Sequence, residues 1–131
     1  MKQIIQNMAN GETSIIEVPC PKSEPGSILI KSKNSLLSVG TERMLVDFGK
    51  ANLLNKARQQ PDKVKMVLNK VKADGVFPTI NSVRTKLDKP IELGYCNAGV
   101  IIESGVEGFS VGDRVVSNGH HAEVTRVSKN L

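Results

Sequence analysis

Short apolar runs and partial alternation mark both ends of the chain, where they predict β-strands. Residues 2–6 and 13–18 are two such runs, and the turn dipeptide Asn10-Gly11 between them predicts an opening hairpin. A longer strand is expected over residues 28–38, with a bulge near Asn34. It should end in a second polar turn at residues 39–43.

The middle of the chain changes to a helical period. Four apolar residues have the i, i+3, i+4, i+7 spacing of a single helix face: Val64, Val67, Leu68 and Val71. Pro61 suits the first turn of this helix, and Gly75 suits its end. A shorter helix is expected near residues 53–57, and a third near residues 81–87, which should end before Pro90.

Strand character returns near the C-terminus, over residues 98–104, 113–117 and 122–127. The order of strands, helices and strands predicts an α+β fold, mainly β. We expect one domain over residues 1–131, with a partly open, β-barrel-like core. A helical segment at about residues 50–88, within a wider region 45–90, should be inserted into it.

The net charge of +5 comes from one strongly basic segment. Between Lys50 and Lys72 there are seven lysines and arginines and a single acid, Asp62, so this segment carries +6 and the rest of the chain −1. The segment contains no aromatic residue that could stack on bases, as single-strand binders require. A solvated helix face is therefore favoured over a nucleic-acid site.

Several classes of protein are excluded by composition. No apolar run approaches the roughly 18–20 residues that a membrane span needs, and the N-terminus lacks the apolar segment of a signal peptide. The two cysteines, Cys20 and Cys96, form neither a CxxC pair nor a disulfide framework. We therefore expect a reduced, cytoplasmic protein with no membrane partner.

A glycine-flanked turn at residues 94–99 carries the candidate chemistry. It places Tyr95, Cys96 and Asn97 directly before an apolar strand. In one interpretation these polar groups face a ligand, and in the other the glycines only allow close packing of strands. The spacing alone leaves both open.

The chain resembles the GroES-like N-terminal domain of the medium-chain dehydrogenase/reductase superfamily. The resemblance lies in residues 94–99 (family pattern G-H-E-x-x-G), residues 105–115 (GVEGFSVGDRV) and residues 121–124 (HAEV). Residues 39–42 (VGTE) are similar to the family segment C-G-x-D. The sequence of residues 38–65 and 93–99 is similar to that of a bacterial subgroup of these dehydrogenases, which is linked to surface-polysaccharide biosynthesis. In this subgroup a second oxidoreductase module is attached to the dehydrogenase.

That resemblance implies a barrel followed by a Rossmann domain that holds NAD or NADP. This sequence has no G-x-G-x-x-G, so we expect a fragment without its cofactor domain, and we assign no residue to the cofactor. The missing Rossmann module would be its main partner, a homodimer is compatible with the sequence, and the substrate would be a small, sugar-derived molecule. The fragment alone is expected to be inactive.

The resemblance also argues against catalytic zinc. Val39 and Tyr95 occupy the positions of the family's cysteine and histidine ligands, and Cys96 that of the following glutamate. Valine cannot bind a metal ion. The adjacent pair His120-His121 should point to opposite faces of a strand, so a single ion should not bind both.

Without zinc, the resemblance implies catalysis by Thr41, at the position of a proton-relay hydroxyl, and by Tyr95, as a proton donor to a carbonyl oxygen. Asn97, Glu42 and Cys96 would bind substrate, with Glu42 acting as a base or contacting sugar hydroxyls. Each has a structural alternative. Thr41 caps a turn, the Tyr95 ring packs under the barrel, Glu42 pairs with Arg43 or Arg114, and Cys96 is a buried thiol.

The helical insertion has two candidate roles. It forms a lid over the substrate cleft, or it is a docking face for other modules or a second subunit. The alternative function for the whole chain is a non-catalytic binding module whose basic helices contact an acidic partner.

Overall fold

The computed structural model describes residues 1–128, in which three strands are followed by four helices and then by four more strands, an α+β fold. This confirms the predicted fold class. The elements are β1 (Lys2–Gln6), β2 (Thr13–Glu17), β3 (Ser27–Ser35), α1 (Val39–Lys50), α2 (Leu53–Gln59), α3 (Pro61–Asp74), α4 (Val76–Asp88), β4 (Ile91–Glu92), β5 (Asn97–Ser104), β6 (Arg114–Ser117) and β7 (Val124–Ser128).

The chain divides into a strand unit and a helical unit. The strand unit consists of residues 1–5, 14–42 and 92 onward, and the helical unit of residues 6–13 and 43–91. The strands of residues 1–128 form two open sheets, with strand orders β2-β1-β4 and β6-β5-β3-β7. The predicted opening hairpin is confirmed, because β1 and β2 are neighbours.

The four-stranded sheet is antiparallel and organised around β3. This strand pairs with β5 on one side and β7 on the other. Its register against β5 shifts between Ser32 and Asn34, so the predicted bulge near Asn34 is confirmed. The strand ends at Ser35 rather than at residue 38.

The inner face of this sheet changes from apolar to polar along the strands. At one end Ile28, Ile30, Ile101 and Val127 form the buried cluster, against which Val106, Phe109 and Val115 pack. At the other end the alternating positions carry short polar side chains instead: Ser32, Asn97, Ser117 and Thr125. A polar interior at the end of a sheet requires hydrogen-bond partners, and it is where a ligand could supply them.

The expected polar turn at residues 39–43 is wrong, because these residues form the first turn of α1. Ser38 precedes the helix, its hydroxyl accepts from the Thr41 amide at 3.4 Å and its carbonyl accepts from the Glu42 amide at 3.0 Å. A serine in this place satisfies amides that lack partners inside a helix. The helical region therefore begins earlier than expected, at Val39.

In the helical unit, α3 has the predicted bounds at Pro61 and Gly75. The third helix was expected to be short, but α4 runs from Val76 to Asp88. The predicted apolar stripe is only half-buried at Val64, Val67 and Val71, and no residue of α3 is fully buried.

A buried lysine, Lys56, forms hydrogen bonds both to the hairpin turn of the helical unit and to the end of α1. The Lys56 ammonium donates to the Gly49 carbonyl at 2.8 Å and to the Ala9 carbonyl at 2.9 Å. The carbonyl of Gly49 belongs to the last turn of α1, where a cation is favourable. Burial lowers the pKa of Lys56 from its ordinary value of 10.5, because desolvation disfavours the charged ammonium.

Lys56→Met is expected to remove part of the pH dependence of stability. Between the lowered folded-state pKa of Lys56 and 10.5, the unfolded chain binds more protons than the folded chain, so the free energy of unfolding rises with pH in that window. Methionine does not titrate, and the variant should lack this rise. Urea unfolding at a series of alkaline pH values measures it, with exposed Lys65→Met as the control that keeps the rise. Parallel pH profiles for wild type and Lys56→Met would contradict the expectation.

Candidate functional site

The polar end of the four-stranded sheet is organised by Asn97. Its side-chain amide donates to the Ser32 hydroxyl at 2.6 Å and lies 3.4 Å from the Thr125 hydroxyl. The side chain is almost completely buried, at 1% exposure, and its Oδ1 atom has no hydrogen-bond partner among residues 1–128. A buried carbonyl oxygen without a partner is uncommon and needs an explanation, such as a water or ligand group.

A buried pair of ionisable side chains lies in the same unit. The Nε2 atom of His121 is 3.0 Å from Oε1 of Glu42, and the two side chains are 6% and 7% exposed. Glu42 belongs to the first turn of α1, where a carboxylate is favourable. The other ring nitrogen, Nδ1 of His121, has no partner within the described residues.

Backbone hydrogen bonds fix the position of His121. Its amide donates to the Leu93 carbonyl at 2.8 Å, and its carbonyl accepts from the Ile4 amide at 2.9 Å. Gly94 lies directly against it, since a Cβ there would come within 2.7 Å of the His121 amide nitrogen and Cγ. The glycine-flanked turn thus makes room for an imidazole.

His120 belongs to a different environment. Its Nε2 atom is 3.0 Å from Oε2 of Glu92 and its Nδ1 atom is 2.8 Å from the Gly94 carbonyl, with both side chains about half-exposed. Each of the two adjacent histidines therefore has its own carboxylate. Residues 1–128 contain no group of three or more histidines, cysteines or acids placed to hold one metal ion.

Two cavities open on the strand unit. One, of about 330 Å³, is lined by residues of β1, β2 and β3 and of the segment before β7: Lys2, Gln3, Ile4, Ile15, Ser32, Lys33, Asn34, Ser35, His121, Ala122 and Glu123. The other, of about 460 Å³, includes Gln3, Glu92, His120, Thr125 and Arg126 in its lining. The smaller cavity is therefore lined both by Ser32, which contacts Asn97, and by His121, which contacts Glu42.

The five predicted site residues divide into two groups. Glu42 and Asn97 are buried, each in contact with a residue that lines the smaller cavity. Thr41 is exposed on α1, Tyr95 is 45% exposed in the loop before β5, and Cys96 is half-buried with its carbonyl accepting from the Leu36 amide. None of the five is itself among the described lining residues of either cavity.

The structure also bears on the structural roles that were considered as alternatives for Glu42 and Tyr95. Glu42 pairs with neither Arg43 nor Arg114 but with His121, whereas Arg43 lies 3.6 Å from Asp47. Tyr95 is 45% exposed, so its ring is at most partly packed against the strand unit. His121 is the residue that the sequence interpretation missed as a site member, and its position in the HAEV segment was the only available signal.

Neither protein-family models nor curated proteins match this sequence. Solved structures do match. The quinone oxidoreductase from Coxiella burnetii superposes with a TM-score of 0.59 at 21% identity, over 98% of this chain and 35% of that one. A probable oxidoreductase from Mycobacterium abscessus gives 0.54 at 18% identity, over 98% and 32%.

The likeness is one of fold. This chain spans about a third of the length of each oxidoreductase that it matches. Among residues 1–128, no helix is long and apolar enough to cross a membrane.

Proposed function

We propose that this chain is the substrate-binding and catalytic part of a zinc-independent, NAD(P)-dependent oxidoreductase. The observation that carries the proposal is the match of 98% of the chain to about a third of two oxidoreductases. The motif resemblance at residues 94–99 and 105–115 supports the same superfamily, the medium-chain dehydrogenases/reductases, and its GroES-like domain. A Rossmann module elsewhere in the longer protein would hold the cofactor.

The residues at the family's zinc positions do not fit a metal ion. Val39 has no ligating atom and its side chain is 72% exposed, and Tyr95 replaces the histidine. The proposed reaction therefore has no step that uses zinc. When bound, a nicotinamide cofactor supplies hydride chemistry, and this chain's residues would bind and orient the substrate and move its proton.

The accessible hydroxyls of Tyr95 and Thr41 suit a proton-transfer role, because both are exposed to an incoming molecule. Asn97 and Glu42 would act from inside the unit, through their contacts with Ser32 and His121. Resemblance to the polysaccharide-linked subgroup supports a sugar-derived substrate and a cytoplasmic enzyme, with Cys96 beside the substrate.

The proposal is tested by cloning the natural reading frame through and beyond Leu131. The longer product should bind NADPH, measured by its fluorescence, whereas the 131-residue chain should bind it weakly. Metal analysis of the active product should find no stoichiometric zinc. A natural reading frame that ends at Leu131 would refute the proposal.

Tyr95→Phe and Thr41→Ala are expected to lower kcat of the full-length enzyme. Loss of a general acid typically costs about 10²- to 10⁴-fold in rate, and the larger effect should come from Tyr95. Thr41→Ser keeps a hydroxyl group and is the control that should retain activity. Wild-type turnover in both Tyr95→Phe and Thr41→Ala would exclude these two residues from proton transfer.

A second candidate, a binding module for an acidic partner, is favoured by the surface of the helical unit. Its net charge is +6 over residues 6–13 and 43–91. Exposed apolar side chains interrupt this basic surface, with Phe77 of α4 at 83% exposure and Met66 and Leu68 of α3 also exposed. Such a surface would bind an acidic protein with a strong dependence on salt.

Titration of the chain with polyglutamate over a range of salt concentrations tests this candidate. The second candidate predicts binding that weakens as salt rises and that is lost when Lys65 and Lys72 are replaced by glutamate. Lys31→Glu on the strand unit is the matched control. Absence of binding at low salt would remove this candidate without affecting the enzyme proposal.

A further inference from the structure

The outer edge of β7 opens on the larger cavity of the strand unit. All five residues of this strand, Val124–Ser128, line the cavity of about 460 Å³. Successive side chains of a strand point to opposite faces of its sheet, so a cavity on either face would be lined by alternate residues only. A cavity that all five residues share therefore runs along the edge of the strand, where the backbone is accessible.

The pairing of β7 with β3 identifies which backbone groups face this edge. The Ser32 amide donates to the Glu123 carbonyl at 2.9 Å, in the same register that pairs β3 with β7. In an antiparallel pair every second residue bonds to the neighbouring strand. Counting from Glu123, the N–H and C=O groups of Thr125 face β3, whereas those of Val124 and Arg126 point away from it.

These outward groups have no partner within residues 1–128. Strand β7 is the last strand of its sheet, and pairing on its outer side ends at Glu123, whose amide donates to the Lys2 carbonyl at 3.0 Å. The Arg126 side chain bonds to Glu24, but the backbone groups of Val124 and Arg126 stay unpaired. Native proteins usually cover such an edge, and an alternating row of donors and acceptors is complementary to another extended backbone.

A second copy of β7 is a poor complement for this edge. Pairing of two copies in full antiparallel register would place Arg126 opposite Arg126, and like charges directly opposite each other destabilise a sheet. A longer chain offers another source of a strand. The residues described here have the fold of about a third of two oxidoreductases, so most of each of those chains lies outside the matched part.

We infer that the edge of β7 pairs with an extended strand of a longer protein, contributed by a segment outside residues 1–131. That strand would exchange backbone hydrogen bonds with Val124 and Arg126 and would occupy the cavity of about 460 Å³. The inference rests on the proposed function for the existence of the longer protein. It adds the place where another part of that protein joins this chain.

Amide hydrogen exchange, followed by NMR, tests the inference on the 131-residue chain and on the longer product. In the 131-residue chain the amides of Val124 and Arg126 should exchange faster than those of Thr125 and Val127, which bond to β3. In the longer product, exchange at Val124 and Arg126 should slow by about tenfold, the effect of one added backbone hydrogen bond. The amides of Thr125 and Val127 are the internal control, because they are bonded in both proteins.

Arg126→Pro separates strand pairing from mere coverage of the edge. Proline removes the N–H group that faces the cavity, and it is tolerated on an edge strand where that group is not bonded. Relative to Arg126→Ala, Arg126→Pro should lower the Tm of the longer product by about 2 °C or more and leave that of the 131-residue chain nearly unchanged. Thr125→Pro removes an N–H group that bonds to β3 and should lower the Tm of both proteins.

The outcomes distinguish this inference from the oxidoreductase proposal. Rapid exchange of Val124 and Arg126 in a longer product that binds NADPH would overturn the inference alone. Slow exchange of both amides in the 131-residue chain would overturn it too, as would equal Tm values of Arg126→Pro and Arg126→Ala in the longer product. Slowed exchange in a longer product that does not bind NADPH would support the inference and refute the oxidoreductase proposal. A natural reading frame that ends at Leu131 would refute both.

Discussion

Gly99→Ala is expected to destabilise the chain by on the order of 3 kcal/mol, the upper end of overpacking effects. Gly99 lies in the middle of β5, opposite Ser32 of β3. An added Cβ would collide with the Lys31 carbonyl oxygen and would come within 2.7 Å of Cγ2 of Ile30. The carbonyl belongs to β3, an inner strand of the sheet, so it cannot rotate away as a side chain would.

Urea unfolding measures this effect, and Gly40→Ala is the matched control. A Cβ at Gly40 would meet nothing within 4 Å, and its position in α1 favours alanine by about 0.5–1 kcal/mol. The two variants should therefore change stability in opposite directions. Because folded domains are stable by only about 5–15 kcal/mol, loss of 3 kcal/mol should also be visible as a lower Tm. Equal stability of Gly99→Ala and wild type would show that the two strands can separate locally.

The parts of the fold that could be predicted from sequence are those specified by local signals. Asn10-Gly11 identified the first hairpin, and Pro61 with Gly75 bounded α3. The bulge near Asn34 followed from broken alternation within one strand. In each case a dipeptide, a proline or a period of apolar residues fixes the backbone without help from distant segments.

Helix α1 was missed because its start resembles a turn. Gly40 and Thr41 are poor helix residues, and they follow the end of β3, so local propensity favoured a loop. The Ser38 cap and the pairing of Glu42 with His121 override that propensity. The second of these contacts joins residues 79 positions apart, which no local pattern reports.

The candidate site was predicted only in part, because its contacts also join residues that are distant in the sequence. Glu42 and Asn97 were selected for their residue types and their places in the family resemblance, and both lie in buried polar contacts. Their partners, His121 and Ser32, come from distant parts of the chain. They could be found only once the segment before β7 was placed beside the start of α1 and β3 was paired with β5. The roles assigned to Thr41, Tyr95 and Cys96 remain predictions.

Gly94→Ala is expected to cost about 2–5 kcal/mol and to displace the His121 ring, because two effects add. Gly94 has a φ of +94°, which side-chain-bearing residues rarely adopt. A Cβ would also come within 2.7–2.8 Å of the amide nitrogen, Cγ and Cδ2 of His121. Unfolding in urea measures the loss of stability, and the nitrogen-15 resonances of His121 report whether the ring has moved away from Glu42.

Gly108→Ala separates the two effects. Gly108 has a similar φ of +87°, but a Cβ there would meet nothing within 4 Å, so this variant carries only the backbone strain. The excess cost at Gly94 is then the steric conflict with His121. Adding His121→Ala to Gly94→Ala should recover part of that excess, since two of the three close atoms belong to the ring while the amide nitrogen stays in place. If Gly94→Ala and Gly108→Ala cost the same, the turn does not hold the imidazole, and Glu42 together with the backbone hydrogen bonds of His121 would be sufficient to orient it.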